Sequence, residues 1–304
     1  MHICVKKDII PILVPEISFI DKYNDVNNYL EMNPSMFIED DGSTTILVRC
    51  VNYRKFKSKN YVVYNSHRSI STYYELKGSI QNNDKLDIES FEYHELQHNY
   101  NLPVHNAFWK GMEDIRFITE NDILVTVPEL HVGGKPAVFK AELVNHEVTN
   151  FVSCEPNETD EKNWMPYFDK TTNTHKVLYS MSPFQIKSIE VNELEEIGLD
   201  DTTSQILQGY HGSTNGVDIN ENDCLFLIHV NGEKTIHRWI ILNMKTKLVS
   251  VSEEFVFFKN SYIEFACSLC KYNERIFVSV GINDNKAFII ELEKENIMKL
   301  FSHV

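Results

Sequence analysis

Residues Glu113-Asp114-Ile115-Arg116 set two carboxylates and a guanidinium within four positions. On an extended strand successive side chains alternate faces, so Asp114 and Arg116 are expected to point the same way. A carboxylate beside a fixed cation is either a structural ion pair or part of a polar site. Other patterns could do different chemistry. His94-Glu95-Leu96-Gln97-His98 fits the H-E-x-x-H zinc-peptidase pattern, which needs a helix to aim both histidines at one metal. Its flanks, with Phe91, Tyr93, Tyr100 and Pro103, do not read as a long helix, so no metal site is expected there. Cys267 and Cys270 form a lone C-x-x-C whose members strand periodicity would place on opposite faces. Asp40-Asp41-Gly42 reads as a hairpin turn rather than an acidic metal motif, and Asp200-Asp201 is a second such pair. No Walker loop and no dinucleotide fingerprint is found.

The bulk properties narrow the partners. The chain has 304 residues, is 42% hydrophobic and carries a formal net charge of -15. Nucleic acid and anionic membrane surfaces both call for a basic face, so neither is expected as a partner. The six cysteines, Cys4, Cys50, Cys154, Cys224, Cys267 and Cys270, are scattered through apolar runs, as buried free thiols in a reducing compartment would be. With no signal peptide and no apolar run of membrane length, a cytoplasmic protein is expected. The sequon Asn157-Glu158-Thr159 is then unused.

The elements that must position these residues are mostly strands. Tyr, Phe, Ile and Val are abundant, with Asn, Asp and Gly between the apolar runs. Short helices are expected near Ile20 to Leu30 and Val191 to Ile197. A repeated unit opens with a polar strand, turns at Asn, Asp or Gly, and continues as a strongly apolar strand. The units start at 33, 113, 163, 212 and 263, so the last three intervals are 50, 49 and 51 residues. A repeat near 50 residues built on hairpins predicts an all-β, five-bladed β-propeller spanning residues 1–304. The longer first interval implies an insertion over one face at roughly 70 to 105. Residues 1–32 are expected to supply a strand that closes the ring against the last blade.

In a propeller each blade stacks on its neighbours and its first strand lines the central channel. That would pool Asn33, Ser35, Asp114, Arg116, Asn163, Trp164, Ser213, Thr214 and Glu264 from five distant places. The alternative is that polar inner strands merely solvate a channel mouth.

The sequence resembles the five-bladed propellers of glycoside hydrolase and phosphorylase family 130, the β-mannoside phosphorylases, and related glycan-locus propellers. The matching pieces run from about 33 to 292. They are Asn33-Pro34-Ser35; Val48-Arg49-Cys50-Val51-Asn52-Tyr53; Glu113-Asp114-Ile115-Arg116, similar to a Glu-Asp-Pro-Arg segment; and Lys162-Asn163-Trp164-Met165-Pro166-Tyr167. Gly212-Ser213-Thr214, Leu227-Ile228-His229, His237-Arg238 and Gly281-Ile282-Asn283-Asp284 complete the set. Ile115 stands where the family has proline. The resemblance implies cleavage or formation of β-mannosidic bonds with inversion, with Asp114 as general acid. It also implies Asn52 and Asp284 among the sugar-binding residues. No cofactor is implied beyond inorganic phosphate as a possible co-substrate. Phosphate needs clustered cationic donors, for which Arg49, Lys162, His229, His237 and Arg238 are candidates, beside Arg116. Trp164 is either a stacking platform for a sugar ring or an ordinary core tryptophan. The expected ligand is a carbohydrate or sugar phosphate. A non-catalytic glycan-binding propeller and a glycosyltransferase using the same axial pocket are the other readings the residues allow.

Overall fold

The computed structural model describes residues 1–14, 18–20, 26–56, 60–64, 66–80, 85–154, 161–191 and 193–301. Among them the chain is almost wholly β. The α-helices, Asp201–Leu207 and Lys294–Met298, are short. A first sheet takes Leu30–Ile38, Ser43–Val51, Ser69–Ser79 and Glu92–His98 as antiparallel neighbours. A second takes Glu113–Phe117, Asp122–Thr126, Val138–Val144 and Glu147–Ser153. The outer strands of these two touch in parallel only at Gln97↔Glu147 and His98↔Val148. A third sheet runs Met165–Asp169, Thr174–Met181, Phe184–Ser188 and Leu194–Glu196. A fourth is built on Asp223–Asn231 and Thr235–Asn243, flanked by shorter pieces. A fifth runs Glu264–Tyr272, Arg275–Ile282 and Lys286–Glu293, and its outermost strand is Asp8–Ile12 from the other end of the chain. Pro11 is tolerated in that strand because an edge strand has no further neighbour awaiting its missing N–H.

The pleat explains how the sheets hold together. Successive side chains point to opposite faces. Ile46, Val48 and Cys50 pack with Phe277 and Ile289 of the fifth sheet, whereas Leu47 packs with Ile115 and Phe117 of the second. Leu124 and Val138 meet Val177 of the third. Leu178 and Ile186 meet Phe226 and Ile240 of the fourth. Leu227 and Trp239 meet Leu269 and Val278 of the fifth. Every consecutive pair of sheets therefore shares a core, and so do the fifth and the first.

Several expectations are corrected. The segments read as helices are strands where they are described: Ser18–Ile20 pairs with Val26–Asn28, and Leu194–Glu196 pairs with Gln185–Lys187. Residues 21–25 and the sequon at 157–159 lie outside the described residues. Pairing with a neighbouring strand satisfies the backbone groups of these described pieces that a helix would otherwise bond internally. The helix at Asp201–Leu207 starts instead where Asp200 accepts a hydrogen bond from the Thr203 N–H at 2.9 Å, an ordinary N-cap. The stretch from 70 to 105 is not an insertion over one face, because it supplies most of Ser69–Ser79 and all of Glu92–His98. His94 and His98 lie on that last strand, so the helical spacing required by a zinc peptidase is not formed. Part of the extra length in the first unit is a small hairpin, Tyr53–Lys55 with Tyr61–Val63.

Asp169 ties the third sheet to the fourth. Its buried carboxylate lies 3.0 Å from Lys176 and 3.2 Å from Lys247, and accepts from Thr171. Burial alone would raise its pKa; the hydrogen bonds from Thr171, Lys176 and Lys247 outweigh it and hold it down at about 2, from 3.8. A depressed carboxylate stabilises the fold above its unfolded value and loses that contribution as pH falls through its folded one. Asp169→Asn should therefore cost on the order of 2 kcal/mol at neutral pH, shrinking below about pH 4, as urea unfolding at several pH values would record.

Candidate active site

The site begins with an irregularity in the innermost strands. Asn33, Asp114 and Asn163 have φ of 40°, 48° and 65°. Asn and Asp enter this left-handed region more readily than other non-glycine residues. The register of the first sheet shifts between Met32 and Ser35, and that of the second between Glu113 and Arg116. Such bulges re-aim side chains. Strict alternation is thus broken at Asp114, and the expected pairing of its carboxylate with Arg116 does not form. Asp114 Oδ1 instead accepts from Asn33 Nδ2 at 2.9 Å and lies 3.4 Å from Arg49 Nη1. Arg116 is buried beneath, donating from Nε to the Ser213 carbonyl at 2.6 Å and from Nη1 to the backbone carbonyl of Asp114 at 3.0 Å.

Two glycines allow the inner strands to approach so closely. A Cβ on Gly281 would fall 2.2 Å from Asn33 Oδ1 and 2.7 Å from its backbone nitrogen. One on Gly212 would fall 2.2 Å from the Asn163 carbonyl oxygen. Gly281→Ala must push Asn33 off Asp114. It should destabilise the fold by about 1–3 kcal/mol and reduce turnover alongside, which thermal unfolding and an activity assay would measure.

These strands surround a cavity of about 1330 Å³. Asn33, Arg49, Asp114, Lys162, Asn163, His229, Glu264 and Asp284 line it, as does Glu113. Arg49 bridges two carboxylates, with Nη2 2.6 Å from Glu113 and Nε donating to Ser71 Oγ at 2.8 Å. Burial pushes the Glu113 carboxyl up; Arg49 pulls against that and the charge of Asp114 adds to it. Asp284 is raised by burial, offset in part by Lys55 and Arg49 and reinforced by Asp114, and Lys55 Nζ stands 3.6 Å from it. Burial holds His229 well below its usual range, with His237, His211 and Arg116 pushing the same way, so it is neutral at pH 7. Its Nδ1 is 2.7 Å from Ser213 Oγ. Glu264 is fully engaged from behind, accepting from the N–H groups of Phe257 and Phe258 at 2.7 Å each and from Ser261.

Other expected site residues do not reach the cavity. Trp164 is a core residue between the second and third sheets, its indole donating to Glu161 at 3.0 Å. Arg238 is held by Tyr210, Ser252 and Glu254 on another face of the fourth sheet. His237 is wholly buried behind Glu264, 3.3 Å from it. Ser35 is buried in an inner strand, Ser213 and Thr214 are buried just after the strand His211–Gly212, and Asn52 is spent on the backbone of Tyr64, Arg68 and Ile70. The inner strands are too tightly bonded to one another to free every polar group they carry. Sequence reasoning missed the aromatic wall. Tyr53, Phe56 and Tyr61 come from the small hairpin, and Trp109 lies on a strand pairing with Ser69. The signal was there: three aromatics within nine residues at a turn, outside the repeat.

All-β sheets stacked pairwise about a pocket of inner-strand residues are the architecture of a β-propeller, and known structures share it. The chain is similar to a β-1,2-mannobiose phosphorylase from Listeria innocua in complex with β-1,2-mannobiose. That match has 12% identity, covers 97% of this chain and 99% of the other, and has a TM-score of 0.61. A glycosyl hydrolase from Bacteroides ovatus matches with 10% identity over 94% of this chain and 91% of its own, at a TM-score of 0.58. A member of glycoside hydrolase family 130, a family of mannoside phosphorylases that contains hydrolases targeting β-1,2-mannosidic linkages in Candida mannan, matches with 9% identity over 96% of this chain and 95% of the other, at a TM-score of 0.57. At these identities the likeness is one of fold. No protein-family model and no curated protein matches the sequence.

Proposed function

We propose that the chain is a five-bladed propeller whose axial cavity hydrolyses β-linked, manno-type glycans with inversion. The blades open near 33, 113, 163, 212 and 263, and Asp8–Ile12 closes the ring. The unbroken cycle of shared cores, fifth sheet to first, supports the blade count. The observation that carries the chemistry is Asp114, aimed into the cavity by its bulge and positioned by Asn33 and Arg49, with Asp284 as a second carboxylate lining the same cavity.

Inverting hydrolysis needs one carboxylic acid to protonate the leaving oxygen and one carboxylate to take a proton from water. Asp114 is the donor in this reading. Its carboxyl group lines the cavity, and Arg49 stands closer to Glu113, at 2.6 Å, than to Asp114, at 3.4 Å. Asp284, whose proton affinity is raised by burial, accepts the proton from water as the water oxygen bonds to the anomeric carbon and the glycosidic C–O bond breaks. Phosphorolysis has less support. Arg49 is occupied by two carboxylates, His229 is uncharged, and His237 and Arg238 stand off the cavity, which leaves Lys162 alone of the expected phosphate ligands as a cation open to it.

The test is incubation with β-manno-oligosaccharides with and without inorganic phosphate, followed by NMR of the anomeric proton. Free reducing sugar released with inverted configuration is expected. A sugar 1-phosphate would replace hydrolysis by phosphorolysis. Binding without turnover would make the protein a glycan-binding module, and transfer from a nucleotide sugar would make it a transferase.

A further inference from the structure

The hairpin Tyr53–Lys55/Tyr61–Val63 is unexplained by the reaction above. It joins none of the cores shared between two sheets, packing Tyr53 and Val63 on Met32 and Val51 of the first sheet, yet it is firmly anchored. Phe56 N–H donates to the Asn60 carbonyl at 3.0 Å and Tyr64 N–H to the Asn52 carbonyl at 2.8 Å. From the fifth sheet, the Tyr262 hydroxyl donates to the Lys55 carbonyl at 3.1 Å, and Asp284 takes the Lys55 ammonium. The hairpin therefore crosses from the first sheet to the fifth beside the cavity.

What it presents there is aromatic. Tyr53, Tyr61 and Trp109 form a triangle of rings with centroids 5.3–5.6 Å apart and planes inclined at 68–75°. Tyr53 is buried, whereas Tyr61 is 42% and Phe56 50% exposed. Exposed rings held in place by their neighbours lose little entropy when a ligand covers them. Other parts of the same cavity wall are polar, with Asn231, Glu233, Asn260 and Tyr262. A wall of ring faces together with one of amides and hydroxyls matches a pyranose, which has apolar C–H faces and an equatorial belt of hydroxyls. The volume, about 1330 Å³ against a usual range of about 300–1,000 Å³, exceeds what one sugar fills.

We infer that Phe56, Tyr61 and Trp109 form a second sugar-binding subsite, which stacks the residue of a β-linked glycan next to the one at Asp114. Tyr53 joins the two subsites, since it packs on Tyr61 and Trp109 and donates to Met32 Sδ at 3.5 Å beside the inner strand. Lys55, bound to Asp284 and 5.1 Å above the Tyr61 ring, ties the aromatic wall to the carboxylates. The preferred ligand is then a disaccharide or longer rather than a monosaccharide. This inference rests on the carbohydrate reading above.

The experiment compares binding of methyl β-mannoside, β-mannobiose and β-mannotriose by calorimetry. It uses the full chain, first as wild type and then in the Asp114→Asn background so that ligand is not consumed. The disaccharide should bind more tightly than the monosaccharide. Tyr61→Ala should weaken disaccharide binding about tenfold and leave the monosaccharide little changed, and Tyr61→Phe should retain the preference. Phe56→Ser, at an exposed position outside the cores, serves if Tyr61→Ala unfolds, and the same loss is expected. Undiminished disaccharide binding in both ring-removing variants overturns the subsite while leaving the carbohydrate reading standing. Failure of the wild type to bind any of the three sugars overturns both.

Discussion

Asp114→Asn should lower turnover of a β-manno-oligosaccharide by about 10²–10⁴-fold while the sugar still binds. The change is isosteric. It keeps an oxygen to accept from Asn33 Nδ2, and the left-handed backbone at this position, φ 48°, suits Asn as well as Asp. The melting temperature should therefore move little, and the loss can be assigned to chemistry. A substrate with an activated leaving group refines the assignment. An aryl glycoside needs no proton on departure, so the variant should recover most of its rate on it if Asp114 is the acid. If Asp114 instead takes the proton from water, the deficit persists on the aryl substrate. Unchanged turnover on the natural linkage would remove Asp114 from the reaction altogether. Asp284→Asn gives the complementary pattern, with a deficit on both substrates.

How far the site could be read in advance depended on which interaction placed each residue. The strand-turn-strand unit was visible because apolar runs and Asn/Asp/Gly turns are local signals, and Ile46-Leu47-Val48 splits between two cores as strand periodicity demands. The convergence of Asn33, Asp114 and Asn163 followed from the repeat alone. The bulges at Asn33 and Asp114 did not, since a register shift arises between strands rather than along one. That is why Arg116 was expected beside the Asp114 carboxylate, and why Arg49, on a strand of the first sheet, was read as a phosphate ligand rather than its partner. Gly281 and Gly212 appeared as motif letters; only contact distances make them spacers for Asn33 and Asn163. Trp164 fitted a stacking platform by type, but a tryptophan whose flanks pack on both sides is drawn into a core. The aromatic wall escaped because most of it lies in a hairpin that is not part of the repeated strand-turn-strand unit.

Arg49→Met should be the most damaging single change to stability. The guanidinium is buried, 2.6 Å from Glu113 and 3.4 Å from Asp114, and a methionine of similar length fills its volume without its charge. Glu113 would be left largely buried with no cation and a second carboxylate beside it. Breaking a buried pair from one side costs about 3–5 kcal/mol, because the remaining charge is uncompensated. The loss should depend on pH in a definite direction. Burial already raises the Glu113 carboxyl in the folded protein, and Arg49 is what restrains the rise. Without it the folded pKa climbs further above the unfolded one, so the folded state prefers the protonated acid. The deficit should then be greatest where Glu113 is ionised and shrink as pH falls through the raised folded value. Glu113→Gln added to Arg49→Met should restore much of the stability at neutral pH, since replacing both partners removes the unpaired charge. Urea unfolding of the two variants at several pH values would measure this. A deficit independent of pH, or a double variant no more stable than the single one, would mean that Arg49 supports the inner strands by packing alone, and that its charge is free to meet an incoming anion.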